Sequence, residues 1–88
     1  MAVQYNPTKA AFDLKKHGVS FSDAEGVFYD PLAVNLPDTD AEAEERFVAV
    51  GLGSAGDALV VVYTMRGEDV RLISARRATR KEIRDYES

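Results

Sequence analysis

Four clusters in this 88-residue chain have the residue types and spacing to handle a phosphate or a proton. In Lys15-Lys16-His17-Gly18, the cations could hold phosphate and the chain's one histidine could move a proton near neutral pH. The same residues also read as the last turn of a helix, where cations complement the helix dipole ahead of a glycine cap. In Glu44-Glu45-Arg46, a carboxylate beside an arginine suits either a general base or an ordinary surface ion pair. Tyr63 and Arg66 offer a ring that can stack on a base and a guanidinium that binds phosphate bidentately, or a core tyrosine and a solvated turn arginine. The fourth cluster is Arg71, then Arg76 and Arg77, then Arg80, Lys81 and Arg84. Strand alternation predicts Arg71, Ile73, Ala75 and Arg77 on one face, with Leu72, Ser74 and Arg76 on the other.

Composition excludes several other chemistries. The absence of cysteine removes disulfides, thiolate metal sites and cysteine nucleophiles, and a single histidine removes any site needing two imidazoles. Neither a calcium loop nor a glycine-rich phosphate loop is present, so no metal and no cofactor is expected. No apolar run is long enough to cross a membrane and no signal peptide is evident, so the expected location is the cytoplasm. Charge is unevenly spread: residues 1–22 carry +2, residues 23–45 carry −8, and residues 46–88 carry +2, for a net −4. Within 71–84, six cations face one anion. A fold that gathers the basic ends would present a patch to a polyanion; the alternative is a mixed, solvated surface.

These residues need elements to position them. Residues 2–5 suggest a short strand. Asn6-Pro7 is a helix start and Gly18 a helix stop, with Ala10, Ala11 and Leu14 as the expected buried stripe. Ser22-Asp23-Ala24-Glu25 reads as a capping box for a second helix, which Asp30-Pro31 ends. Leu32, Val34 and Leu36 alternate as a half-buried strand, and 37–44 is an acidic loop. Arg46–Leu52, Ala58–Met65 and Val70–Ala75 are further strands, with the apolar middle one expected at the centre of the sheet. Thr79-Arg80-Lys81-Glu82 is a capping box opening a C-terminal helix. The expected fold is α+β, one domain over residues 1–88, in the order β-α-α-β-β-β-β-α. An antiparallel sheet of four or five strands would have its helices packed on one face.

The combination of stretches carries more than any one of them. Lys9, then KHGVSF over 15–21 (with the preceding lysine), Phe28-Tyr29-Asp30-Pro31-Leu32, Glu44-Glu45-Arg46-Phe47, and Arg71-Leu72-Ile73-Ser74-Ala75-Arg76 followed by Glu82 and Tyr86 resemble the BrnT toxins in order along nearly the whole chain. The resemblance implies a fold related to the RelE-type toxins and metal-independent cleavage of RNA, with the ribose 2′-hydroxyl attacking the adjacent phosphate. It implies a BrnA-type antitoxin as protein partner, with DNA contacted only through that antitoxin. On this reading Arg66 and Arg76 stabilise the phosphate, Lys16 or His17 handles proton transfer or leaving-group charge, and Glu45 is the candidate base. Lys9, Lys15, Tyr63, Arg71 and Arg77 contact RNA. Two other classes stay open: an antitoxin-binding module without cleavage, and a regulatory protein whose basic end touches DNA.

Overall fold

The computed structural model describes residues 1–38 and 45–87, so the expected acidic loop lies largely outside the described residues. The elements are β1 (Val3–Gln4), α1 (Pro7–His17), α2 (Phe21–Ala24) running into a 3-10 turn (Glu25–Tyr29), β2 (Val34–Pro37), β3 (Phe47–Leu52), β4 (Ala58–Arg66), β5 (Asp69–Arg77) and α3 (Arg80–Glu87). They form an α+β fold whose five strands make one sheet in the order β1-β5-β4-β3-β2. Strands β2 to β5 are an antiparallel meander with β4 at the centre, as its apolar run requires.

The sheet is mixed, which corrects the expectation of an all-antiparallel one. Val3 and Gln4 pair in parallel with Val70 and Arg71. The Asp69 carboxylate fixes this direction by accepting from the Ala2 N–H and from Gln4 Nε2, both at 3.0 Å. A two-residue strand with no hairpin turn beside it carries no sequence signal for direction.

Local chemistry sets the first helix. The Asn6 side chain accepts from the N–H groups of Thr8 and Lys9, and Gly18 closes the helix at φ 71°, a conformation costly for any residue with a Cβ. The expected apolar stripe is wrong, however. Ala10 packs on the core, but Ala11 is exposed, Leu14 is 49% exposed, and Asp13 is buried. The reason lies in β5. Strand β1 covers its outer edge only at Val70 and Arg71, and further along the Ala75 N–H points outward. Asp13 Oδ2 accepts from that N–H at 2.9 Å, so α1 turns a carboxylate, rather than a leucine, toward the edge of the sheet.

The second helix starts two residues earlier than its sequence suggests. Ser20, not Ser22, is the cap, accepting from the Asp23 N–H at 3.0 Å. Moving the start back brings Phe21 into the helix, where it is buried with Ala24 and Val27. These side chains and Val19 pack on Ala49, Leu59, Val61, Tyr63, Val70, Leu72 and Ala75 to form the core. Burying such side chains is worth about 1.5–3 kcal/mol each. The helices therefore do not share one face: α1 and α2 cover the core side, while α3 lies over the other side, where its Glu82, Asp85 and Tyr86 stand beside Val34, Leu36, Val48 and Val50. On the α3 side of β4 Val60 and Thr64 are buried and Val62 is only partly so, and α3 itself buries no residue, so the second face is thinly covered.

Candidate nucleic-acid interface

Where the two strands pair, residues 69–77 of β5 lie opposite 59–66 of β4, so β5 holds one residue more. Tyr63 is opposite Leu72, yet Val62 is opposite Ser74, which leaves Ile73 as a bulge. Residues opposite each other in an antiparallel ladder share a face, so the extra residue resets the alternation. Val70, Leu72, Ala75 and Arg77 then belong to the core side. Arg71, Ser74 and Arg76 belong to the α3 side, opposite Thr64, Val62 and Val60. The expected pairing of Arg71 with Arg77 is thus corrected: Arg71 shares its face with Arg76. That Arg76 and Arg77 take opposite sides holds.

Arg66, two residues beyond Thr64 on β4, joins the same face. Along the sheet, the Arg71 row and the Arg76 row are separated by four residues of β4, about 13 Å at roughly 3.3 Å per residue. Arg66 is six residues of β4 from the Arg76 row, about 20 Å. Arg66 and Arg76 therefore stand at different points of a track, too far apart to hold one phosphate together. Glu45 is at the Arg71 end: its backbone oxygen accepts from Thr64 Oγ1 at 2.7 Å.

Arg76 is held in a fork. Its Nη1 and Nη2 each donate to one oxygen of Glu82 at 2.8 Å, and Nη1 also donates to the Arg77 carbonyl. Those bonds hold the Glu82 carboxyl down at about 2 and push the Arg76 guanidinium further up. A carboxylate so firmly ionised is a poor proton acceptor near neutral pH, so Glu82 positions Arg76 instead of acting as a base. Glu82 also completes the capping box, taking the Thr79 N–H while its own N–H donates to Thr79 Oγ1. At the far end of α3, the Tyr86 hydroxyl donates to Asp30 Oδ2 at 2.6 Å. Asp30 also accepts from the N–H groups of Leu32 and Leu52. The Tyr86 bond first, then those two, hold the Asp30 carboxyl below its ordinary range, and the Tyr86 phenol is raised in turn. Glycine at 51 keeps room for this junction, since a Cβ there would stand 3.0 Å from Asp30 Oδ2.

The remaining sequence candidates gather elsewhere. Lys15, Lys16 and His17 occupy the last turn of α1, and Gly18 lies against the Arg77 guanidinium. Arg77 also stands 3.9 Å from Asp57. Lys9 is exposed on the first half of α1. This second basic group borders the core side of the sheet, so Lys16 and His17 do not share a face with Arg76. Tyr63 is buried instead of presented to solvent. It is 8% exposed, sits between Phe28 and Phe47, and donates its hydroxyl to Asn35 Oδ1 at 2.8 Å; burial raises its phenol. Stacking on an RNA base is excluded for a ring already packed on both sides. Sequence reasoning left Asp13, Asp30, Glu82 and Tyr86 outside its site list. Asp30, Glu82 and Tyr86 lie in the stretches that resemble BrnT toxins, and Glu82 also closes the capping box, whereas Asp13 had no signal.

Comparison with known proteins identifies the family. The family model for the ribonuclease toxin BrnT of type II toxin-antitoxin systems matches residues 5–82. The chain belongs to the BrnT family. The crystal structure of the Brucella abortus ribonuclease toxin, BrnT, is similar, with 25% identity and a TM-score of 0.71 over 91% of this chain and 99% of that one. Comparison with curated proteins gives no match. The BrnT match spans the whole arginine face, from Arg66 through Arg76 to Glu82. Membership places the chain among ribonuclease toxins that have an antitoxin partner. Among the described residues no helix is long and apolar enough to cross a membrane.

Proposed function

We propose that residues 1–88 act as one BrnT-type unit, an endoribonuclease toxin working on RNA in the cytoplasm and silenced by a BrnA-type antitoxin. The observation that carries this reading is the shared face of Arg66, Arg71 and Arg76, which the bulge at Ile73 creates. A row of guanidiniums on a sheet, spaced by roughly 13 and 20 Å, suits an extended polyanion better than a small metabolite. In the reaction, the 2′-oxygen bonds to the adjacent phosphorus while the bond from phosphorus to the 5′-oxygen breaks. The products are a 2′,3′-cyclic phosphate and a 5′-hydroxyl, the departing 5′-oxygen taking its proton from water. Arg71 and Arg76 neutralise the charge that builds on the phosphate, and Arg66 holds a neighbouring phosphate. Glu45, at the Arg71 end, is the candidate acceptor of the 2′-hydroxyl proton. Lys9, Lys15, Lys16, His17 and Arg77 hold the flanking strand where it passes the end of the sheet. With no cysteine and one histidine, the chemistry is read as independent of a metal.

Purified protein and RNA, incubated with EDTA, test the reading by the appearance of cyclic-phosphate ends. Arg71→Ala and Arg76→Ala are expected to lower cleavage about 10²–10³-fold, the usual cost of losing one transition-state contact. Glu45→Gln abolishes cleavage but keeps RNA binding, whereas His17→Ala weakens binding and keeps the cleavage step. Arg84→Ala, on exposed α3 surface, changes little. Equal losses in all of these variants would mean a diffuse basic surface with no defined site. Activity that disappears in EDTA and returns with magnesium would overturn the metal-independent mechanism.

A further inference from the structure

On the α3 side, beside the Arg76–Glu82 pair, the sheet carries a groove of about 220 Å³ lined by Val34, Leu36, Val48 and Val50 on the strands and by Glu82, Asp85 and Tyr86 on α3. We propose that this groove seats the neutralising antitoxin, through an amphipathic segment that inserts aliphatic side chains and carries lysine or arginine on its flanks. The proposal rests on the toxin reading above and assigns the surface where the antitoxin acts.

Helix α3 cannot fill the groove itself. It has no buried residue, and in Arg80–Glu87 only Ile83 and Tyr86 offer apolar surface. The strand residues therefore stay open to water: Leu36 is 57% exposed and Val34 38%, with Leu52 at 42% and Leu32 at 70% nearby. A contiguous apolar patch of this kind on a small soluble chain marks an interaction site. Its volume falls below the roughly 300–1,000 Å³ of small-molecule pockets, so it fits a partner's side chains and not a metabolite.

Charge decides between partners. The groove's outer wall, β2, carries no charged side chain, so the lining bears acid and no base. Its inner wall presents Glu82 and Asp85. A second copy of this chain, with its net −4, would bring the same sign of charge to that rim, whereas a basic flank complements it. Strand addition at the edge of β2 is disfavoured too, because β2 has four residues and ends in Pro37. The occupant packs on the face. There it reaches Glu82, the residue that orients Arg76, so the same contact that anchors the antitoxin covers the phosphate-binding arginine.

The test uses Leu36→Arg and Leu36→Ser, at an exposed position outside the proposed RNA track. Calorimetry with the purified antitoxin reads affinity, sedimentation of the toxin alone reads self-association, and RNA cleavage and thermal melting are followed in parallel. Both variants are expected to weaken antitoxin binding about tenfold or more, as for loss of a central apolar anchor, with melting and cleavage unchanged. The wild-type association rate is expected to fall as salt rises. Antitoxin affinity within twofold of wild type for both variants would overturn the proposal. So would a wild-type dimer that Leu36→Arg dissociates, which would assign the groove to a second copy. A salt-independent association rate would overturn the basic flank. Because affinity is read without RNA, a wild-type protein that binds antitoxin through Leu36 but cleaves nothing would refute the nuclease reading and uphold this one.

Discussion

Replacing Glu82 by glutamine isolates the charge of the clasp that holds α3. The amide can still serve as the third residue of the capping box, so the helix start survives while the ion pair with Arg76 is lost. The Glu82 carboxyl drops from an ordinary value of 4.5 to about 2 in the folded protein. At 1.36 kcal/mol per unit that sets a ceiling of about 3 kcal/mol. The two side chains are 29% and 43% exposed, however, and water screens such a pair, which brings the contribution to about 1–2 kcal/mol. For a chain of this size the change lowers Tm by about 5–10 °C. A depressed carboxyl stabilises the fold above its unfolded value and loses that contribution as it becomes protonated. The gap between wild type and variant is thus full above pH 4.5 and closes as pH falls toward 2. Melting curves followed by circular dichroism across that range measure it directly. Cleavage at pH 7, well below Tm, falls as well because Arg76 loses the partner that aims it. A gap below about 2 °C at pH 7, or one that stays constant down to pH 2, would refute the assignment of Glu82 as a charged clasp.

Three other substitutions probe the frame around the site. Asp13→Ala strips the Ala75 N–H of its acceptor and is expected to cost about 1–3 kcal/mol in urea unfolding, with Asp13→Asn retaining part of it. Gly18→Ala forces a Cβ into a left-handed position and is expected to lower stability by about 1 kcal/mol, measured the same way. Tyr86→Phe removes the first of the bonds that hold Asp30 ionised, so the Asp30 carboxyl, followed by NMR, is expected to titrate at higher pH than in wild type.

Much of the fold was legible because its signals are local. Asn6 and Gly18 bracket α1, Thr79 and Glu82 open α3, and the unbroken apolar run of β4 puts it in the centre of the sheet. What escaped the sequence depends on contacts between distant segments. Asp13 is buried because β5, sixty-two residues away, needs an acceptor at its edge. Ser20 displaces Ser22 as a cap because Phe21 has a core to enter. Tyr63 read equally well as a stacking platform, and only the flanking Phe28 and Phe47 rings make it core. The candidate site fared worst, since its residues were assigned by chemistry while the sheet divides them between two faces. Lys16 and His17 border one, Arg66, Arg71 and Arg76 occupy the other, and no local pattern announces that division.

The bulge at Ile73 also bears on how this chain should be compared with its kin. An ordinary strand that lacked the extra residue would place an arginine four positions, not five, before the one equivalent to Arg76 and still present both on the same side. A single-residue deletion between Leu72 and Ser74 is therefore expected to be far better tolerated than one elsewhere in β5, where it would turn every following side chain over. Diverging relatives can gain or lose a residue at this point without changing the surface they offer to RNA, so alignments within the family should admit a gap here and count the two spacings as equivalent.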